Sequence, residues 1–313
     1  NNCYMIHPKS SNKSGYILYQ MPIFERINEF WGHKLWYTGE ANEITDDTEW
    51  VAEVIWQDIP TQVMGFSDAS GTNTLTTTYS GKGKTPVYFK LKSLDHYGNI
   101  VVGVKKKGET AYLWSWHLWA TGSDVEATAI ETSVGTFMDR NLGAYHNSDG
   151  SMKQDDVYRS YGMYYQWGRK DPFYRYGFTS PRTQLSIEES IALPTTVAAG
   201  SNPWTFQEEW DNNFWSIGQK TIYDPCPVGW RVPDGGSNGV WSKALGSSSD
   251  FYDYPYDSTN EGMNFSGKFG SVSTIWYHAS GYRGSYDGSL DDVGSYGNYW
   301  SASPSNYYAY CLN

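Results

Sequence analysis

"NIVVGVKKKGETAYLWSWHLWA", residues 99–120, sets two runs of β-branched and aromatic residues on either side of a short basic break that contains a glycine. Each run is too short and too β-branched for a surface helix, and a polar break with Gly between two such runs predicts a hairpin. In the second run Trp114, Trp116 and Leu118 point one way while Ser115, His117 and Trp119 point the other, so one face is expected to be a core face. Lys105, Lys106 and Lys107 then read as the solvated turn of that hairpin. Working outward, "WVAEVIWQDI" (50–59) and "TPVYFKLKS" (85–93) share this texture, with Gly, Asn and Ser as punctuation. Residues 1–125 are therefore predicted to be β throughout, an antiparallel sandwich.

"TGSDVEATAIETSVG" (121–135) loses the aromatic density and has the composition of a connection. Beyond it, in 136–313, the texture changes. Tyr158, Tyr161, Tyr164, Tyr165 and Gly168 fall at helical spacing in "YRSYGMYYQWGR". Val240, Trp241, Ala244 and Leu245 do so in "SNGVWSKALG", with Asp234 or Ser237 placed as a cap. Two short amphipathic helices among Gly-rich and Tyr-rich stretches predict an α+β domain with much loop.

Composition bounds the function. The chain has 313 residues, enough for two domains, and a formal net charge of -11, which disfavours a nucleic-acid or anionic-membrane partner because both surfaces are negative. No stretch approaches the ~20 apolar residues of a membrane helix, so direct membrane insertion is not expected. The start, "NNCYMIHPKS", has the texture of a domain interior, so the chain reads as a piece of something longer. Cys3, Cys226 and Cys311 are too widely spaced for a zinc ribbon or a redox pair.

The usual catalytic patterns are absent. None of the six histidines stands in H-E-x-x-H, and no G-x-S-x-G elbow occurs. Gly262, Gly267 and Lys268 satisfy most of a phosphate-binding loop, but Phe269 stands where the metal-ligating hydroxyl belongs. His117, set among tryptophans, reads as a half-buried histidine satisfied by a neighbouring strand. Asp287, Asp291 and Asp292, and Asp250, Asp253 and Asp257 with Glu261, lack the residue order of a calcium loop and read as solvated acids. The expectation is no catalytic residue, no metal and no cofactor.

Longer stretches carry a resemblance. "NNCYMI", "WSWHLWAT" (114–121), "GTFMDRNLGA" (135–144), "YGMYYQWGRKDPF" (161–173), "TIYDPCPVGWRVPDGG" (221–236), "GYRGSYDG" and "YGNYWSAS" together resemble fimbrillin-related, pilus-tip-like surface adhesins of Bacteroidetes. The C-terminal part looks like the Fibrobacter succinogenes major paralogous domain. The resemblance spans nearly the whole chain. It implies a sandwich serving as stalk or connector over 1–125 and a C-type-lectin-like binding domain over 136–313. In that domain the "YGMYYQWGR" and "VWSKAL" helices would flank a small sheet, with "DPCPVGWRVP" as a rigid lead-in to the second. It further implies a secreted protein at the cell surface, attached to the outer membrane through its precursor. Its partners would be a host or microbial surface glycan or protein, and pilus shaft subunits. Asp139, Arg140, Arg169 and Asp171 in "MDRNLG" and "GRKDPF" are expected as buried or half-buried hydrogen-bonded pairs. The Glu-Pro-Asn and Trp-Asn-Asp signatures of calcium-dependent lectins are missing, so calcium-mediated sugar binding does not carry over. Cys311 or a residue beyond this chain is left as the partner of Cys226.

The closing stretch, "GSYGNYWSASPSNYYAYCLN" (294–313), alternates like a strand: Tyr308, Tyr310 and Leu312 on one face, Tyr307, Ala309 and Cys311 on the other. Its Tyr, Ser, Asn and Gly are also the residues of antibody contact loops. The predicted ligand face comprises Tyr282, Arg283, Tyr286, Asp287, Tyr296, Asn298, Tyr299, Asn306, Tyr307 and Tyr308. The expected function is non-catalytic adhesion. The alternative is a carbohydrate-active enzyme or a carbohydrate-binding module with aromatic platforms that stack on sugar rings.

Overall fold

The computed structural model describes residues 2–7, 16–31, 42–146, 157–175, 185–198, 214–215, 217–246, 256–265, 267–270, 275–285, 287–305 and 308–312, with the side chains of Ser305 and Tyr308 left aside. Their regular elements are mostly β-strands with few helices. In chain order the first elements are β1 (Cys3–Ile6), β2 (Ile17–Met21), α1 (Ile23–Trp31), β3 (Glu49–Gln57), β4 (Met64–Ser67), β5 (Thr78–Lys82), β6 (Val87–Leu91), β7 (Tyr97–Lys106) and β8 (Trp114–Thr121).

β7 and β8 form the predicted hairpin, with Val104 opposite Trp114 and Ile100 opposite Leu118. Lys105 and Lys106 still belong to β7, and the turn closes where the Glu109 N–H donates to the Lys106 carbonyl at 3.0 Å. The sheet runs β1-β8-β7-β3-β5, and a second, antiparallel sheet runs β2-β6-β4. Two expectations are corrected here. β1 pairs with β8 in parallel, so the first sheet is not wholly antiparallel. All eight residues of β8 are buried, so both of its faces are core faces, not one. On the polar face His117 Nε2 lies 2.8 Å from Asn99 Oδ1, and the Asn99 amide donates to Asp58 at 3.0 Å, which offsets part of the cost of this burial.

A third correction is α1, inside a stretch predicted as pure β. Ile23, Ile27, Phe30 and Trp31 are its buried residues, the spacing of one helical face. Pro22 sets the start, and its carbonyl accepts the Arg26 N–H at 3.1 Å. Phe30 packs on Trp114 with centroids 5.0 Å apart, and the Trp31 indole donates to the Leu113 carbonyl at 3.1 Å. Each such buried side chain contributes roughly 1.5–3 kcal/mol.

The remaining elements are β9 (Ile130–Thr132), β10 (Gly135–Phe137), a 3₁₀ turn (Val157–Ser160), α2 (Ile187–Ala192), α3 (Val240–Leu245), β11 (Tyr256–Asp257), β12 (Gly262–Asn264), β13 (Trp276–His278), β14 (Tyr282–Arg283), β15 (Leu290–Asp291), β16 (Tyr299–Ser305) and β17 (Tyr308–Leu312). The chain divides into two compact units, 2–123 with 185–196, and 124–184 with 197–313. The segment 185–196, counted within 136–313 by sequence, thus groups with the N-terminal strands: the Ala192 carbonyl accepts the Tyr112 N–H at 3.3 Å. Part of the expected connection 121–135 is ordered as the β9–β10 hairpin.

In the C-terminal unit α3 packs Trp241 and Leu245 onto Phe265, Phe269, Ile275 and Leu312. Its cap is Gly239, with no side-chain bond, in place of the expected Asp234 or Ser237. The other expected helix is absent. Only the 3₁₀ turn at Val157–Ser160 forms, and Tyr164 instead bridges to Phe173 across a tight loop. The cause lies in Gly162 and Gly168, at φ +77° and +79°, conformations no helix accepts. A Cβ on Gly162 would stand 2.5 Å from the Leu142 carbonyl oxygen.

Candidate functional site

The C-terminal stretch is a hairpin, and its anchoring decides which tyrosines are left to meet a ligand. β16 pairs antiparallel with β17, but the register shifts between Trp300 and Pro304. The bulged residues Ser301, Ala302 and Ser303 are buried. The Ala302 N–H donates to the Pro233 carbonyl and the Gly235 N–H to Ser303 Oγ, both at 2.8 Å. Two indoles clamp the same strand: Trp167 donates to the Ser301 carbonyl and Trp300 to the Tyr165 carbonyl, both at 2.9 Å. Tyr299 packs edge-on against Tyr277 at 4.7 Å and donates to the His278 carbonyl at 2.7 Å. Burial pushes its phenol well above the usual range. Leu312 enters the core, while Tyr310 covers Gly236 and stays 44% exposed.

The surface beside it is built from β14, β15 and the loop that follows. β14 and β15 pair as a two-stranded ladder, Tyr282 opposite Asp291 and Arg283 opposite Leu290. Arg283 turns inward: its guanidinium donates to the carbonyls of Gly288 and Tyr174 and lies 5.8 Å from the Tyr164 ring centroid. Desolvation lowers its pKa. The Asp292 carboxylate raises the pKa of Tyr282, whose ring meets that of Tyr296 at 74° with centroids 6.3 Å apart. Tyr296 is 46% exposed. From a distant loop, Tyr256 reaches over to donate its hydroxyl to the Gly294 carbonyl, and Val293 is exposed beside it.

Two acids shape these loops. Glu261 and Asp292 are the non-glycine residues at positive φ, both +53°, among the described residues. Such backbone is sparsely populated and persists where the surroundings hold it. Ala279 ties the two loops together, its N–H donating to the Glu261 carbonyl and its carbonyl accepting the Gly294 N–H, both at 2.7 Å. The Glu261 carboxylate accepts the Tyr161 hydroxyl at 2.5 Å. Burial first, and then that bond, push the Tyr161 phenol upward.

Below this surface lies a cleft of about 810 Å³, within the range of small-ligand pockets. Trp230, Trp241 and Trp300 contribute to its walls, and so do the predicted residues Tyr282, Arg283, Asn298 and Tyr299. Among the described residues one carboxylate lines it, Asp139, and both its oxygens are held by Arg140, at 2.7 and 3.0 Å. The expected Arg169–Asp171 pair takes another form. Lys170 bonds both oxygens of Asp171 at 2.8 and 2.9 Å, while Arg169 lies 5.1 Å from the Phe173 centroid and donates to Gln166 at 3.3 Å. Desolvation pulls Arg169 down to about 10 and Lys170 to about 8. Among the described residues no disulfide joins Cys226 and Cys311, the candidate partners in the sequence.

Of the predicted ligand residues, Tyr282, Tyr296 and Asp287 thus stand at or near one surface, with Asp287 exposed and accepting the Ser289 N–H at 2.9 Å. Arg283 and Tyr299 are held by packing, and Asn298 is half-buried at the cleft. Tyr286, Asn306 and Tyr307 lie outside the described residues, as does the Tyr308 side chain. Tyr256, Glu261, Asp292 and Val293 were not anticipated as site residues. The repeated Tyr-Asp pattern of "DFYDYPYD" (250–257) was the available signal for Tyr256. No protein-family model, curated protein or solved structure matches the chain.

Proposed function

We propose that this chain is a non-catalytic, pilus-tip-like adhesin subunit of the cell surface, with a β-sandwich stalk or connector and a lectin-like C-terminal binding head. The observation that carries it is the surface where Tyr282, Tyr296 and Tyr256 gather around Gly294 and Asp292. Exposed tyrosines on tied loops offer large, rigid contact area at low entropic cost, the property of a recognition surface. A glycoside hydrolase would need two carboxylates facing each other across the cleft. Asp139, bound bidentate to Arg140, does not supply that pair. The bare aromatic rings do suit the second reading, a carbohydrate-binding module.

A glycan and protein array probed with the full chain tests the proposal. The expected result is selective binding that Tyr296→Ala weakens. Equal binding by the wild type and the variant would move the site elsewhere, and hydrolysis of an arrayed glycan would replace adhesion with catalysis.

A further inference from the structure

We infer that the partner presents a lysine or arginine side chain, and that the corner between Tyr282 and Tyr296 receives it. The inference rests on the binding-head reading and names the chemistry of the ligand. Two rings at 74° make two walls, each with the negative π-face that attracts a cation. Tyr296 is 46% exposed, so a side chain from outside reaches it. Asp292 stands beside the corner, its carbonyl accepting the Tyr296 N–H at 3.0 Å and its carboxylate raising the pKa of Tyr282, and the exposed Asp291 is the register partner of Tyr282 across the β14–β15 ladder.

Among the described residues Asp291 and Asp292 make no ion pair. The side-chain hydrogen bond to these two carboxylates among the described residues comes from a hydroxyl, that of Ser289 to Asp291 at 2.9 Å. From Gly284 to Asn313 the sequence contains Asp287, Asp291 and Asp292 and no Lys or Arg. The nearest cation in sequence, Arg283, is committed inward to the Tyr174 and Gly288 carbonyls. Arg175 lies by the Tyr161 ring, 5.3 Å from its centroid, on the Glu261 side. A neutral sugar would gain stacking from the tyrosines but nothing from the net negative field, whereas a basic segment gains both.

The test uses the full chain and a labelled peptide of alternating Lys and Gly. The same peptide with its lysines acetylated and a panel of neutral oligosaccharides serve as comparators. The expected result is binding of the basic peptide that falls steeply with salt and is lost on acetylation. Asp292→Asn isolates the charge, since Asn also tolerates the positive φ of this position. It and Tyr296→Ala should each weaken the peptide about three- to tenfold, while Tyr296→Phe retains most of the affinity. Glu109→Gln, an exposed acid of the N-terminal unit, should change nothing. Equal loss in Glu109→Gln and Asp292→Asn would reduce the effect to bulk charge and overturn the inference. Neutral sugars that bind, lose affinity in Tyr296→Ala and ignore Asp292→Asn would overturn it while leaving the binding head standing. If no probe binds, or none responds to Tyr296→Ala, the inference and the reading beneath it both fall.

Discussion

His117 shows how a single side chain sets a pH limit. The Asn99 amide nitrogen donates to Asp58, so Asn99 Oδ1 faces the imidazole and His117 Nε2 must carry the proton. Nδ1 then keeps a buried lone pair with no hydrogen-bond partner. A second proton there has nothing to meet, and burial pushes the pKa down to about 3. Between pH 6.5 and 3 the unfolded chain takes up this proton and the folded chain does not. The contribution is therefore complete above pH 6.5 and is lost as pH falls, at about 1.4 kcal/mol per unit. Urea unfolding at pH 7 and at pH 4.5 should show the wild type losing about 2–3 kcal/mol more than His117→Gln. Equal losses would mean the site charges without cost. The tyrosines divide by the same logic of burial. Tyr299→Ala removes a packed ring and a hydrogen bond and should cost about 3–5 kcal/mol, whereas Tyr296→Ala should stay within about 0.5 kcal/mol in thermal or chemical unfolding.

Elements were legible where one force dominated. In β7 and β8, β-branched and aromatic runs around a lysine–glycine break leave a hairpin as the simplest solution, and the alternation of the last residues likewise marks β17. α1 was missed because nine residues between strands offer just two turns of period, although Ile23, Ile27, Phe30 and Trp31 hold the pattern. The stretch 158–169 failed in the opposite way. Its tyrosines keep helical spacing, but Gly162 and Gly168 sit in left-handed backbone that spacing does not report. Gly162→Ala tests this, because a helix would gain about 1 kcal/mol from alanine. The loop should instead lose about 1–3 kcal/mol to the strained φ and the clash with the Leu142 carbonyl. A stabilised variant in chemical denaturation would show the loop to be an accommodating one. The site was half legible for a related reason. Tyr282 and Tyr296 lie close in sequence, but Tyr256 and Glu261 arrive through Gly294 and Ala279, and composition carries no trace of such long-range bonds.

At the scale of the whole molecule, the order of residues along the chain and their membership of the two units do not coincide. Residues 2–123 make up most of the first unit, the chain then enters the second, and 185–196 return to the first. The returning piece carries α2, whose start is fixed by a capping box: the Glu189 N–H donates to Ser186 Oγ at 3.2 Å and the Ser186 N–H to Glu189 Oε2 at 2.7 Å. Ile187 and Ile191 are buried on it, at 4% and 2% exposure. The N-terminal unit therefore needs a segment separated from it by about sixty residues of chain. A fragment ending at residue 125 lacks that helix and should unfold at lower denaturant than the same strands in the full chain. Ile187→Ala in the full chain should cost about 2–5 kcal/mol. Hydrogen exchange locates the loss: β8 amides, including those around Leu113 and Trp114, should exchange faster while amides of β16 keep their protection. If β16 loses protection and β8 does not, α2 supports the C-terminal unit, and the two units follow the order of the sequence after all.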